Sequence, residues 1–329
     1  MVRATLEIER FDPGRHPQPH AQRFTVELAD GSTVLEALMA VQEYQDGSLA
    51  FRRACRHAIC GACAMRVNGC SRLACNAQLA DVVEQAARIA ERKGQDADGA
   101  AVTIAPLANM PVVKDLVTDL EVFWRKIRRV RPWLVPDATP VDPDRERLMT
   151  PGEWDEVAQA VLCLECGACY SDCESLAASP EFIGPTALAQ AHRFVADPRD
   201  GMARERLAGL SGEHGLWECT RCFACTERCP KHIRVRELIA DLGGRAYDER
   251  LRDDSGVRHA QAFVASLKES GRLNEATLGV KSQGVAWTVR HAAQIARQAR
   301  AGKLASPRPA PIDEHDKLKG IVQRAEDSR

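Results

Sequence analysis

Residues 219–230 read CTRCFACTERCP, and residues 163–173 read CLECGACYSDC. Each is a C-x2-C-x2-C-x3-C run. Soft thiolates at this spacing suit iron–sulfur cubanes: three close cysteines wrap one cluster, and the fourth turns away to ligate the other. The run occurs twice, so the ligands are expected to interlock. Cys163, Cys166 and Cys169 are expected to hold a 4Fe–4S cluster completed by Cys229. Cys219, Cys222 and Cys225 are expected to hold a second cluster completed by Cys173. Pro230 fits this reading, because it breaks the local helix and sets a turn at Cys229. Glu174 takes the proline's place in the earlier run.

A third group of cysteines lies upstream, in CRHAICGACAMRVNGCSRLAC at 55–75. Cys55, Cys60 and Cys63 have the plant-type 2Fe–2S spacing, C-x4-C-x2-C, with a distal cysteine as fourth ligand. Cys75 and Cys70 are both available, and Cys75 is the favoured one. Cys70 follows Asn68-Gly69, a hairpin signal, and reads as a spare thiol beside a turn. Gly61 and Ala62 are small where backbone must approach a cluster closely.

Thirteen cysteines are unusual for a cytosolic chain. A disulfide framework needs an oxidising compartment, and MVRATLEIERFDPG has no apolar signal core. Structural zinc wants four ligands per metal, usually as two separated pairs, rather than four within eleven residues twice over. Net charge is −1, which argues against a nucleic-acid partner. No apolar stretch approaches the ~20 residues of a membrane span. The expectation is therefore a cytoplasmic protein. No GxGxxG fingerprint marks a dinucleotide site, and no nucleophile–base arrangement is specific enough to be catalytic. The chain reads as an electron carrier that leaves the chemistry to a partner.

Three parts are expected: 1–105, 106–245 and 246–329. RATLEIERF and RFTVELADGSTV alternate with period two, as in a hairpin, and TVLEALMAVQEY has helical spacing. A small mixed sheet on a helix should carry the 2Fe–2S loop. Residues 88–100 read as a surface loop. Residues 111–131 read as one helix starting at Pro111, with Val113, Leu116, Val117, Leu120 and Phe123 as its apolar stripe and KIRRVR as a solvated end. Pro132–Pro143 reads as a linker, and the chain from 153 onward as helical. Beyond 246, RHAQAFVASLKESGRLNEATL and AWTVRHAAQIARQARAGKL read as two amphipathic helices followed by a tail, SPRPAPIDEH. This extension either packs on its own domain or docks a partner.

With these motifs in order, the chain resembles the iron–sulfur subunits of succinate dehydrogenase and fumarate reductase over roughly residues 1–245. LAFRRACRHAICGACAMRVNG with LAC, MPVVKDLVTDLEVFWRKIRRVRPWL, EFIGPTALAQAHRFVADPRD and CTRCFACTERCPK carry the match. The resemblance implies an α+β chain: an N-terminal β-grasp 2Fe–2S ferredoxin-like domain, then an all-helical two-cubane ferredoxin domain. It implies an FAD-bearing flavoprotein partner, with electrons passing from FAD through 2Fe–2S, 4Fe–4S and a third cluster to a membrane anchor and quinone. It also implies a peripheral place on the inner face of the cell membrane.

Three departures bear on the acceptor. Most members have a 3Fe–4S third cluster and no cysteine at the position of Cys222, so Cys222 implies 4Fe–4S. Ala177 and Ala178 stand where quinone-binding members usually have tryptophan, and Thr220 stands where histidine is frequent. About eighty residues follow where the family usually ends. HAQAFVASLKESGRLNEATL is similar to a region of heterodisulfide reductase-type subunits, which implies a CCG-motif partner as the alternative to a membrane anchor. A soluble thiol:fumarate reductase is the alternative complex. A glycolate or heterodisulfide oxidoreductase subunit would share the cubane runs but usually lack the 2Fe–2S domain.

Overall fold

The computed structural model describes residues 1–136, 144, 146–249, 255–303, 306 and 308–327. Strand β1 (Val2–Asp12) pairs antiparallel with β2 (His16–Leu28), placing Leu6 opposite Phe24 and Ala4 opposite Val26. Period-two alternation turns Ala4, Leu6 and Ile8 into the core. Helix α1 (Val34–Tyr44) follows, opened by a capping box in which Thr33 and Glu36 satisfy each other's backbone N–H groups. Thr33→Ala is expected to cost about 1 kcal/mol, a usual value for a lost N-cap, read as a shift in the denaturation midpoint.

The next strands are β3 (Ala64–Val67) and β4 (Cys70–Leu73), joined by Asn68 and Gly69 at φ 52° and 78°. Positive φ at both turn residues is the hairpin geometry that Asn-Gly favours. Helix α2 (Leu79–Arg92) follows, and β5 (Val102–Ala105) completes a mixed sheet of order β2-β1-β5-β3-β4. Strand β5 runs parallel to β1 and antiparallel to β3. The loop expected at 88–100 is corrected here: α2 takes residues up to Arg92. Its buried stripe of Leu79, Val82, Ala86 and Ala90 outweighs the polar residues between.

The helix expected over 111–131 is also corrected. Residues 112–118 form a hairpin of β6 (Val112–Lys114) and β7 (Val117–Thr118), and only α3 (Glu121–Arg129) is helical. The cause is tertiary. Asp115, at φ 46°, is buried and accepts from Arg10 Nε (3.0 Å), Phe11 N (3.1 Å) and Ala50 N (2.9 Å). A helix would take that carboxylate away from a buried guanidinium, and breaking a buried pair is costly. The basic end of α3 is not wholly solvated either. Lys126 is buried and donates to the carbonyls of Pro180 (2.5 Å) and Phe182 (2.7 Å).

The helical region comprises α4 (Pro151–Val161), α5 (Ala168–Ser171), α6 (Glu174–Ala178), α7 (Pro185–Val195), α8 (Ala203–Leu210), α9 (Ala224–Glu227) and α10 (Val235–Asp248). Thr150 and Glu153 form a second capping box at α4, with Pro151 as its first helical residue. Helix α7 is its buried centre. Ala187, Ala189 and Ala191 are almost fully covered, and such small side chains let neighbouring helices approach closely. Residues 137–143 of the expected linker lie outside the described residues.

Two compact units emerge: Met1–Arg206 with His214–Asp241, and Leu207–Glu213 with Leu242–Arg329. The second contains α11 (Ser255–Ser270), α12 (Glu275–Gln283), α13 (Val285–Arg290), α14 (Ala292–Arg300) and α15 (His315–Asp327). The two helices expected here are thus several. Gly271 at φ 72° ends the first, and His291 interrupts the second. The expected tail folds back, with Ile312 N donating to Ser270 O (3.0 Å). Among the described residues no helix is long and apolar enough to cross a membrane.

Candidate metal centres

None of the thirteen cysteines forms a disulfide. The loop bearing Cys55 and Cys60 is tied down on its entry side, where Ala50 N reaches Asp115 and Arg52 Nη1 donates to Thr118 O (2.7 Å). Within it, Arg56, Ala58 and Gly61 adopt φ of 61°, 54° and 72°. Left-handed residues alternating with right-handed ones turn successive N–H groups toward one side and make an anion-binding concavity. Here His57 N and Cys60 N point at Cys55 Sγ (3.3 and 3.4 Å), and Ala58 N points at Cys75 Sγ (3.3 Å). The His57 N–H first, then Ile59 N–H and Cys60, hold the Cys55 thiol down to about 6. Burial pushes Cys63 up to about 12, with Cys75 against it.

Cys55 thus meets Cys60, and Cys63 meets Cys75. None of these contacts involves Cys70, which sits on β4 opposite Val67. Cys70→Ser is expected to keep the 2Fe–2S absorbance and EPR signal, with stability changing by less than about 1 kcal/mol as a half-buried thiol becomes a hydroxyl. Loss of that signal would place Cys70 among the ligands.

The two later runs share one backbone course. In the first, Glu165 (φ 52°) and Gly167 (φ 78°) flank Cys166. In the second, Arg221 (φ 61°) and Phe223 (φ 65°) flank Cys222. A one-turn helix follows each: α5 after Gly167 and α9 after Phe223. A bulky residue such as Phe223 in the left-handed region is strained, and strain of this kind persists where the surroundings impose it. Cys222 therefore stands in the run at the place that Cys166 holds in its own.

The thiols also sort by neighbour. Burial pushes Cys166 up to about 11, and Cys163 and Cys229 add to the effect. Burial also raises Cys169 well above its ordinary value, with Cys163 and Cys166 of its own run and then Cys225 of the other adding to the effect. Burial likewise pushes Cys225 up to about 12, followed by Cys219, Cys173 and Cys222. The structure thus brings Cys229 to the first run and Cys173 to the second. Thr186 Oγ1 lies 3.1 Å from Cys169 Sγ, and Glu165 N donates to Cys163 Sγ (3.4 Å). The first group, with Gly167, Thr186 and Ile233, lines a small cavity.

This donor set fits clusters. Buried thiols crowded together resist ionisation, and a polycationic iron core supplies the charge that makes them thiolates. Among the described residues, no three His, Cys, Asp or Glu side chains are close enough to hold a single metal ion.

The first and second cysteine loops meet at Gly61. A Cβ there would lie 2.7 Å from Cys166 Cβ and 2.9 Å from Cys166 Cα.

Residues 5–125 match the family described as the 2Fe-2S iron-sulfur cluster binding domain, and residues 159–233 match the 4Fe-4S dicluster domain. The chain is 36% identical over 301 residues to the 8-methylmenaquinol:fumarate reductase iron-sulfur subunit of Wolinella succinogenes, covering 90% of this chain and 89% of that one. It is 36% identical over 233 residues to the fumarate reductase iron-sulfur subunit of Mycobacterium tuberculosis, covering 71% and 88%. The chain belongs to the family of iron–sulfur subunits of fumarate reductase and succinate dehydrogenase. A chain of the Mycobacterium smegmatis Sdh1 complex in the apo form superposes with TM-score 0.63 at 27% identity, covering 76% of this subunit and 97% of that chain.

This iron–sulfur subunit is accordingly an electron-transfer part of an oxidoreductase complex, and it carries 2Fe–2S and 4Fe–4S clusters. Its α+β class, with a 2Fe–2S ferredoxin-like domain before a helical cluster-binding region, agrees with the expectation. Two of the positions that depart from the family pattern, the Ala177–Ala178 pair and Thr220, lie close together. Ala177 and Ala178 are exposed on α6, and on the same helix the Ser175 hydroxyl accepts from Thr220 N (3.2 Å) and donates to Thr220 Oγ1 (3.3 Å). The Wolinella alignment covers 90% of the subunit, so it extends well beyond residue 245, whereas the Mycobacterium alignment covers 71%. Sequence reading missed the polar partners of the sulfurs, Thr186 above all, because a hydroxyl seventeen residues from its thiol carries no local signal.

Proposed function

We propose that twelve cysteines hold three clusters in this subunit. Cys55, Cys60, Cys63 and Cys75 take 2Fe–2S. Cys163, Cys166, Cys169 and Cys229 take the first 4Fe–4S. Cys219, Cys222, Cys225 and Cys173 take a second 4Fe–4S, where a 3Fe–4S would need only three of them. The observation that carries this is the exchange of Cys173 and Cys229 between the two runs, together with the matching backbone around Cys166 and Cys222. Bound clusters supply single-electron transfer and no bond chemistry, so the subunit is a non-catalytic relay. The chain's own residues aim N–H groups at the sulfurs, exclude water around Cys173 and Cys225, and bring the loops at Gly61 and Cys166 into contact.

The proposed division of labour is 1–105 for the 2Fe–2S cluster, 106–245 for the two cubanes and 246–329 for docking. The proposed partners are an FAD-bearing flavoprotein at one end and a membrane anchor or CCG-motif subunit at the other, leaving the subunit peripheral on the inner face of the membrane. The Wolinella relative is named for a methylated menaquinol donor, which supports a quinone-linked complex over a soluble thiol:fumarate reductase. Exposed Ala177, Ala178 and Thr220 in place of the usual quinone-site side chains support a CCG-motif subunit as the immediate neighbour.

Iron and acid-labile sulfide analysis of the purified complex tests the cluster set: the assignment requires about ten iron atoms in this subunit, by ligand counting. Zinc without visible absorbance would overturn it. Subunit sequencing tests the partner, and a haem-bearing two-helix anchor with no CCG protein would overturn that choice.

A further inference from the structure

At the centre of the cysteine-bearing segments lies a carboxylate that carries no ligand role. Asp172 precedes Cys173. Its Oδ2 accepts from Ser71 N (3.0 Å) and Arg228 Nε (3.0 Å), and its Oδ1 accepts from the Ser71 hydroxyl (2.6 Å) and the Ser171 hydroxyl (3.3 Å). Ser71 and Ser171 are buried and lie 2.7 Å apart through their hydroxyls. Arg228 precedes Cys229, and Ser71 lies on β4, which runs into Cys75. One carboxylate therefore joins all three cysteine segments. Its charge partner sits beside the very cysteine that crosses in the opposite direction. Glu227 also approaches Arg228, but at 3.9 Å and from a largely exposed side chain, so Asp172 is the partner that matters.

We propose that the Asp172–Arg228 pair is a positioning and potential-setting device: it fixes the crossing cysteines Cys173 and Cys229 relative to each other and balances charge between the two clusters they complete. Charge and hydrogen bonding around a cluster set its potential. Asp172 is mostly covered and Arg228 about one-third exposed, so solvent screens their charges only in part. An unbalanced carboxylate makes adding an electron harder, and an unbalanced guanidinium makes it easier. The inference rests on the ligand assignment proposed above.

The test is an EPR-monitored redox titration of the intact complex carrying Arg228→Gln, Asp172→Asn or both, with iron content measured in parallel. Arg228→Gln is expected to disfavour reduction of a flanking cluster about tenfold, equivalent to about 59 mV for a one-electron couple. Asp172→Asn should favour it by a similar factor, and the double variant should return close to wild type. Shifts of the same sign, or shifts below about twofold in fully loaded protein, would overturn the inference while leaving the ligand assignment standing. If Arg228→Gln loses iron, Arg228→Lys should restore loading because it keeps the charge; an equal loss would overturn the inference too. Wild-type protein that lacks the expected iron would instead defeat the ligand assignment.

Discussion

Cys222→Ser is expected to give air-oxidised protein a strong 3Fe–4S EPR signal that wild type lacks, with about one iron fewer per subunit by ligand counting. An oxidised 4Fe–4S centre is silent where a 3Fe–4S centre is paramagnetic. The change should be selective. Cys222 is exposed at the turn between two left-handed residues, so the substitution leaves the buried Cys173 and Cys225 where they are. The 2Fe–2S signal should persist, because Cys55, Cys60, Cys63 and Cys75 lie in another loop. A 3Fe–4S signal in undamaged wild-type protein would overturn the role given to Cys222.

Gly61→Val should lower stability by about 2–5 kcal/mol: about 1–2 for a side chain in the left-handed region and about 1–3 for overpacking. The measurement is the temperature at which cluster absorbance bleaches. The added Cβ would meet Cα and Cβ of Cys166 below 3 Å. A flexible side chain could swing aside, but backbone cannot, so the two cysteine loops must part. The same variant should slow electron transfer between the first two clusters, seen as lagging reduction in stopped flow. An unchanged bleaching temperature would mean that the loops do not meet as described.

Much of this was legible in the residues. Period-two alternation gave the β1–β2 hairpin, Asn68-Gly69 gave the β3–β4 turn, and the repeated cysteine spacing announced clusters. The misreadings share one cause. The segment at 111–120 has helical periodicity, yet Asp115 is claimed by Arg10 from more than a hundred residues away. Lys126 looked like a solvated helix end, yet two carbonyls far along the chain capture it. Local pattern carries no record of such partners. The many short helices of 255–327 were missed because Gly271 and His291 break them without disturbing the apolar spacing.

Cysteine spacing by itself determined the kind of cofactor, because thiolate number and separation are dictated by the cluster they surround; the ordered motifs carried the resemblance to the iron–sulfur family, and that resemblance implied the α+β class. Tertiary structure alone decided where the loops touch and what surrounds them. Gly61 meets Cys166, Thr186 reaches Cys169, and Asp172 joins Ser71 to Arg228. Those contacts depend on folding distant segments into one place, where a missing Cβ or a single carboxylate acquires a meaning that its neighbours in sequence do not give it.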